Sequence, residues 1–239
     1  MNLATNSLRG RNMQKRRTRL LSEARNLLAR GGFEALNLRE LAKRAEITVP
    51  TIYNLIGKKE DLLLLLASDV VGEIEARIIP TPDTAPLDLA AAVVVESTPL
   101  FAENEEFYRS AFLAVEWLDQ TGQHHAEVAR IYAWAGSLMK SGIDACREAG
   151  LVNGKIDSRL LSELVTRNYR INCRGWAFGH YDISEFRRIA LSDLYTTLAA
   201  DAVDTFHAQL VQIINDLSAE SANRADTQNA HGKKRGEAA

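Results

Sequence analysis

Six neighbouring side chains in this sequence have the sizes and polar groups needed to contact the edges of DNA bases. They are Thr48, Val49, Pro50, Thr51, Tyr53 and Asn54. A helix that only faces water more often carries Lys and Glu, whereas a helix in a major groove needs short polar side chains and methyl groups. Lys58 and Lys59 follow at the start of the next predicted helix, where ammonium and backbone N–H groups could hold phosphates.

Two short predicted helices, joined by a tight turn, position these residues. The first covers residues 38–45 and has Asn37 as its N-cap; its apolar residues recur every three or four positions, so one face is buried. Glu46 and Ile47 form the turn, and Thr48 caps a second helix over residues 49–56. The periodicity predicts a helix-turn-helix. An ordinary helical hairpin in a protein core has the same spacing and remains the alternative at this point.

The charge distribution favours nucleic-acid binding at the N-terminal end. The 239 residues have a net charge of −2 and are 46% hydrophobic, enough for a substantial core. Residues 1–60 hold 13 Lys and Arg against 5 Asp and Glu, whereas the remaining residues hold 16 against 26. A basic head on an acidic body indicates that contacts with phosphates are confined to the head.

The same stretch resembles the DNA-binding domain of TetR-family (tetracycline-repressor-like) regulators over about residues 17–66. The resemblance rests on Gly32-Phe33, Asn37-Leu38-Arg39-Glu40-Leu41-Ala42, Ala45, Thr48, Thr51-Ile52-Tyr53 and Lys59-Glu60-Asp61-Leu62. Two positions depart from the family pattern. Glu46 replaces the usual turn glycine and must adopt an awkward backbone conformation or change the turn, and Ile56 replaces an aromatic residue.

The resemblance implies roles for the DNA-binding residues and for the whole chain. Tyr53 and Lys59 are expected to grip phosphates, joined by Arg39 or Lys58, while the remaining outer residues of the second helix face bases. The family's last two long helices pair with those of a second subunit, so we expect a homodimer on a palindromic DNA operator. Burial of both helices within one subunit is the alternative. The resemblance further implies a repressor released by a small molecule.

The rest of the chain is predicted to be helical, which makes the fold all-α. We expect a disordered basic arm (1–14), a three-helix helix-turn-helix domain (15–60), a helical effector-binding and dimerisation domain (61–219) and a disordered tail (220–239). Pro99 is predicted to close a helix over residues 87–100. The apolar stripe from Phe186 to Leu217 predicts one continuous final helix that begins at the capping box of Asp182 and Glu185.

Aromatic and polar side chains are mixed in the middle helices, as in pockets for mostly apolar small molecules. The candidates for ligand contact are Trp117, Tyr132, Trp134, Tyr169, Asn172, Trp176 and His180. Aromatic residues at helical spacing also form ordinary cores, so each has that alternative. Arg167, Arg170 and Arg174 form a basic ridge, interpreted first as a solvated or dimer-edge face and second as a site for a ligand carboxylate or phosphate.

The sequence predicts neither an enzyme nor a cofactor or metal site. It contains no GxSxG, HExxH, Walker A or GxGxxG motif, and the adjacent His124 and His125 would diverge on a helix. The Arg-rich N-terminus lacks the apolar segment of a signal peptide, and no apolar run could span a membrane. Together with two cysteines lacking a CxxC pattern, this predicts a cytoplasmic protein. The competing hypotheses are a constitutive DNA binder without effector and an enzyme with its site in the helical body.

Overall fold

The computed structural model of the chain describes residues 8–122 and 124–236, and the side chains within residues 10–122 and 124–220. These residues form ten helices and no strand, with one isolated antiparallel bridge between Val152 and Ala202. The prediction of an all-α fold is therefore confirmed. Within this part of the chain, every helix is too short or too polar to cross a bilayer.

The helices follow one another with short connections. They are α1 (Leu8–Ala35), α2 (Leu38–Ala45), α3 (Val49–Leu55), α4 (Lys59–Arg77), α5 (Pro86–Glu103), α6 (Glu105–Thr121), α7 (His125–Glu148), α8 (Ser158–Ala177), α9 (Ile183–Ala199) and α10 (Asp204–Gly236). The helical backbone of α1 is interrupted at Gly31 and Gly32, where Gly32 has φ +68°.

The chain divides into two compact units whose borders differ from the predicted domains. One unit contains the residues up to Arg77 together with Pro99–Ala133, and the other contains Ile78–Thr98 and the residues from Trp134 onward. In the first unit α6 packs along α1 and α4, so the helix-turn-helix shares its core with residues far beyond position 60. This tertiary packing is the physical reason that no boundary falls at residue 60.

A polar cluster inside the first unit ties three of its helices together. The Arg25 guanidinium of α1 donates to Glu73 of α4 at 2.5 Å and lies 4.5 Å from the centre of the Phe107 ring. The Tyr108 hydroxyl of α6 donates to the other oxygen of Glu73 at 2.8 Å. Burial, followed by this hydrogen bond, raises the pKa of Tyr108. The phenol therefore stays protonated and acts as a donor.

In the second unit, the prediction of one continuous final helix is wrong. It breaks into α9 and α10 at residues 200–203. Asp201 is buried in the break, and its carboxylate accepts hydrogen bonds from the backbone N–H groups of Gly154 at 2.9 Å and Lys155 at 3.1 Å. These bonds join segments more than 45 residues apart in the chain, so the periodicity of the apolar stripe could not reveal them.

Three further expectations differ from the structure. Residues 8–14, predicted as part of a disordered arm, form the first turns of α1, and residues 220–236, predicted as a disordered tail, continue α10. Neither segment contains proline, so each can extend a helix that tertiary packing already stabilises. Residues 1–7 and 237–239 lie outside the described residues. Pro99 lies inside α5 and does not end it. The residue before it, Thr98, donates its hydroxyl to the Val94 backbone carbonyl at 2.7 Å.

Candidate nucleic-acid interface

Helix α2 and the turn after it have the capping predicted from the sequence. The Asn37 side chain accepts a hydrogen bond from the Arg39 backbone N–H at 2.8 Å, which caps α2. Leu41 of α2 and Ile52 of α3 are fully buried. The two helices are therefore held by a common core and leave their other faces outside.

Glu46 adopts the awkward conformation expected where a glycine is usual. Its φ of 55° and ψ of 44° are left-handed, a conformation found at no other non-glycine residue among those described. This conformation costs roughly 1–2 kcal/mol for a residue with a Cβ. The Arg19 guanidinium of α1 approaches both Glu46 carboxylate oxygens, at 2.7 and 2.8 Å, and its hydrogen bond lowers the pKa of Glu46. Arg19 thus joins α1 to the turn.

The residues predicted to contact bases lie on α3 and are exposed or half-buried. Thr48 caps it by accepting from the Thr51 backbone N–H at 3.3 Å, and the two hydroxyls lie 2.8 Å apart. Pro50 and Asn54 are exposed, and Tyr53 has 52% of its surface exposed; Val49 and Thr51 are half-buried. Arg39, at the start of α2, is also exposed.

The start of α4 is capped by a carboxylate. The Lys58 backbone N–H, expected to be available to a phosphate, donates to Asp61 Oδ2 at 2.7 Å, while the Lys58 side chain is exposed. Gly57 precedes it with φ +120°, and a Cβ at this position would lie 2.3 Å from the same Asp61 oxygen. The connection between α3 and α4 therefore requires glycine, and phosphate contact at Lys58 would have to use its ammonium group.

Lys59 lies in a different setting from Lys58. Its ammonium donates to the Phe33 backbone carbonyl at 3.2 Å and sits 4.2 Å from the centre of the Phe33 ring. Burial lowers the pKa of Lys59. The Phe33 ring in turn packs on Trp117 of α6, with 4.7 Å between ring centres. An ammonium has three N–H donors, so two remain after the bond to Phe33.

The seven predicted ligand residues are divided between the two units. Trp117 and Tyr132 belong to the first unit and the other five to the second. Tyr132 donates to the buried Glu116 at 2.7 Å, Tyr169 to Ser97 at 2.9 Å, and Asn172 to Asp193 at 2.8 Å.

Within the second unit, the aromatic candidates of α8 serve the core. Trp176 is fully buried, and its ring centre, like that of Tyr169, lies 5.9 Å from the centre of the Phe186 ring of α9. His180 is exposed beside Phe178, and Trp134 is half-buried. The structure therefore brings Tyr169, Asn172 and Trp176 together in the α8–α9 contact.

Sequence reasoning missed the contributions of Arg19 and Phe33 to the interface. Arg19 was one basic residue among many, and only the left-handed turn at Glu46 gives it a specific partner. The nearest signal was the unusual residue in the turn, which invites a search for a compensating contact. Phe33 was identified as part of the family resemblance, and its contact with Lys59 joins positions 26 residues apart.

Two capped helices around a tight turn, with an exposed polar face on the second, define a helix-turn-helix protein. The family model described as "Bacterial regulatory proteins, tetR family" matches residues 20–66. The transcriptional repressor KstR of Rhodococcus jostii is 27% identical over 129 residues, which cover 51% of this chain and 61% of KstR. The match thus spans less than two thirds of that relative.

Solved structures agree in fold. SmeT, the repressor of the multidrug efflux pump SmeDEF of Stenotrophomonas maltophilia, is 18% identical with a TM-score of 0.63, covering 82% of this chain and 94% of SmeT. FadR of Bacillus subtilis, solved with stearoyl-CoA, is 17% identical with a TM-score of 0.60, covering 76% of this chain and 97% of FadR. Residues 20–66 thus match the model of the tetR family, and the chain shares its fold with these solved repressor and regulator structures.

Proposed function

We propose that this protein is a sequence-specific transcriptional regulator of the cytoplasm, a repressor that a small, mostly apolar molecule releases from a palindromic operator. The observation that carries the proposal is the outer face of α3, where exposed Pro50, Tyr53 and Asn54 stand on a helix fixed by the buried Ile52. This segment lies within the match to the family model.

The proposed contacts divide into base and phosphate contacts. Val49, Pro50, Thr51 and Asn54 face bases, because their methyl and amide groups suit the thymine methyl and the adenine edge. Tyr53, Lys58 and Arg39 contact phosphates with exposed polar groups. Lys59 adds a phosphate contact through the ammonium hydrogens that Phe33 does not use. Thr48 fixes the start of α3 through its cap.

A homodimer is supported by an apolar stripe along α8 and its C-cap residue Phe178 (Leu160, Leu164, Ile171 and Phe178), called the α8 stripe below. Leu160, Ile171 and Phe178 are 49%, 58% and 56% exposed, and their spacing places them within about 20° of one line along the helix. Val211 of α10 is 39% exposed in the same unit. Apolar side chains in such a row are typical of contact with another helix. A two-fold dimer would present two α3 helices to half-sites about 34–36 Å apart.

The effector is proposed to bind in the helical body and to act through α4. Glu73 of α4 is held by Arg25 and Tyr108, so movement of α4 would have to disturb this cluster. Because Bacillus subtilis FadR was solved with stearoyl-CoA, a screen of effectors should include long-chain acyl-CoA beside free fatty acids and uncharged apolar compounds. The exposed Arg167 and Arg174 lie on the same side of α8 as Leu160 and Ile171, so they border the proposed dimer contact.

A constitutive DNA binder is the alternative that one observation favours. The polar groups of Tyr132, Tyr169 and Asn172, which were expected to face a ligand, already bond to other protein groups. A thermal-shift screen separates the two proposals. A compound that raises the melting temperature and also weakens DNA binding supports the effector, whereas DNA binding unchanged by every stabilising compound supports the constitutive protein.

The regulator itself is tested by a gel shift with the DNA upstream of its own gene. We expect a dissociation constant well below 10⁻⁶ M at physiological salt. Footprinting of the same DNA should show protection of two half-sites one helical turn apart. The matched competitor is random duplex of equal length. If binding to both duplexes stays near the nonspecific level of roughly 10⁻⁴–10⁻⁶ M, the proposed function is wrong.

A further inference from the structure

The N-terminal part of α1 carries a basic surface outside the segment that matches the family model. That match begins at residue 20, whereas α1 begins at Leu8. No Asp or Glu occurs between residues 8 and 22. Arg11, Lys15 and Arg16 are exposed, and none of the three forms an ion pair within the described part of the chain. The positive charge of this surface is therefore not neutralised by neighbouring carboxylates.

Helical geometry places the basic side chains in a row. Arg11, Lys15 and Arg19 are four residues apart, so they lie within about 80° of one another around the helix axis. They span about 12 Å along the axis, which equals the axial rise of three to four nucleotides of one DNA strand. A helix, unlike an extended arm, is too wide to thread a minor groove about 6 Å across.

Arg19 fixes this row relative to the helix-turn-helix. Its guanidinium pairs with Glu46 in the turn and also reaches the Arg44 backbone carbonyl at 3.5 Å. Arg16 lies about 100° from Lys15 around the axis, beyond Arg19 and outside the row. Because Arg19 is paired with Glu46, the unpaired charges of the row are those of Arg11 and Lys15. They begin about 6 Å from Arg19 along a rigid helix, next to the turn.

We propose that Arg11 and Lys15 of α1 form a second DNA-contact surface, which binds the phosphates that flank the sites contacted by α3. The proposal rests on the proposed DNA-binding function and adds a sequence-independent contribution to it. Contacts with phosphates alone raise affinity for all duplexes and steepen its dependence on salt.

The test compares Arg11→Ala/Lys15→Ala with wild type on operator and on random duplex, each at several salt concentrations. Each lost phosphate contact lowers the slope of log K against log salt by about 0.9, so we expect a fall of about 3.6 for a dimer on both duplexes. Affinity at 150 mM salt should fall at least tenfold. Because alanine has a high helix propensity, the two substitutions should leave α1 intact. Circular dichroism and a thermal melt check that the variant is folded.

Arg130→Ala/Lys155→Ala is the matched control, because it removes the same charge from two exposed positions elsewhere in the chain. Its slope should stay within about 0.5 of wild type. An unchanged slope in the α1 variant, or an equal fall in the control, overturns the proposal. Wild-type binding that depends on A·T pairs in the flanks would also overturn it, because phosphate contacts do not read bases. Absence of specific wild-type binding would instead contradict the proposed function, and the slope on random duplex would still test this surface.

Discussion

Helices α3 and α8 each leave one face uncovered, and the two faces differ in chemistry. The outer face of α3 carries proline, threonine, tyrosine and asparagine, side chains that are short or end in a polar group. The outer face of α8 carries Leu160, Ile171 and Phe178, with Arg167 and Arg174 beside them. Polar groups on α3 can bond to base edges, whereas the branched and aromatic side chains of α8 gain most from another apolar surface.

The difference shows why exposure alone does not identify a binding site. The exposed apolar groups of α8 lie along one line of the helix. In a monomer they would all remain in contact with water, which is unfavourable, so such a line is typical of a contact with another protein surface. The α3 face has no such line, because its exposed side chains combine hydrogen-bonding groups with methyls. We therefore propose different partners for the two faces, DNA for α3 and a second copy of the chain for α8.

The largest expected effect comes from a charge on the α8 face. In the proposed dimer, Ile171→Glu would place a carboxylate without a partner in an apolar interface, at a cost of at least about 3 kcal/mol. We expect sedimentation to show a monomer at concentrations where wild type is a dimer. Operator binding should fall more than 100-fold, because one α3 cannot contact both half-sites.

Lys155→Glu is the control for charge, since it adds a carboxylate at an exposed position outside the α8 stripe. It should remain dimeric. A dimeric Ile171→Glu protein with normal operator affinity would show that the α8 face is not the interface.

The second effect concerns base contacts of α3. Asn54→Ala removes an amide able to bond to an adenine edge, so operator binding should weaken by about 1–3 kcal/mol, roughly 5- to 150-fold. Binding to random duplex should change less than twofold. Equal losses on both duplexes, measured by gel shift at one salt concentration, would show that Asn54 contacts the backbone and does not read sequence.

Local signals in the sequence predicted much of the region that contains α3. The caps at Asn37 and Thr48, the buried Ile52 and the strained position at Glu46 all depend on residues within a few positions of one another. Helix caps and apolar periodicity are such short-range features. For this reason the boundaries of α2 and α3 agree with those predicted to within one residue.

Long-range contacts limited what could be predicted elsewhere. The break between α9 and α10 depends on Asp201 meeting Gly154 and Lys155, and the position of Lys59 depends on Phe33. The candidate ligand residues were chosen by composition, which does not reveal that Tyr169 bonds to Ser97, 72 positions away. A sequence states which side chains can bond but not which distant partners the fold supplies.

A smaller effect tests the connection that orients α3. Gly57→Ala adds a Cβ at φ +120° and 2.3 Å from Asp61 Oδ2, so we expect the free energy of unfolding to fall by about 1–3 kcal/mol. Gly72→Ala is the control within α4, where a Cβ meets nothing within 4 Å. It should raise the free energy of unfolding by about 0.5–1 kcal/mol in chemical denaturation. An equal loss of stability in both variants would show that the positive φ and close packing at Gly57 do not by themselves require glycine.

The smallest effect tests the ion pair at the turn before α3. Because Arg19 lowers the pKa of Glu46 in the folded protein, the pair stabilises the fold above the pKa of Glu46 in the unfolded chain. That stabilisation is lost as the pH falls through the lowered pKa. Wild type should therefore melt at a higher temperature than Glu46→Gln at pH 7, and the difference should shrink below about pH 4.5. Arg19→Gln should behave like Glu46→Gln.

Glu46→Gly separates the backbone strain from the charge. Glycine adopts the left-handed conformation without the cost of roughly 1–2 kcal/mol that a Cβ incurs, but it also removes the ion pair. An ion pair as exposed as this one contributes little because water and salt screen it, less than the strain that glycine relieves. Glu46→Gly should therefore melt above wild type while Glu46→Gln melts below it. A glycine variant that melts lower than the glutamine variant would show that the turn is not strained at Glu46, and α3 would then owe its position to the buried Ile52 alone.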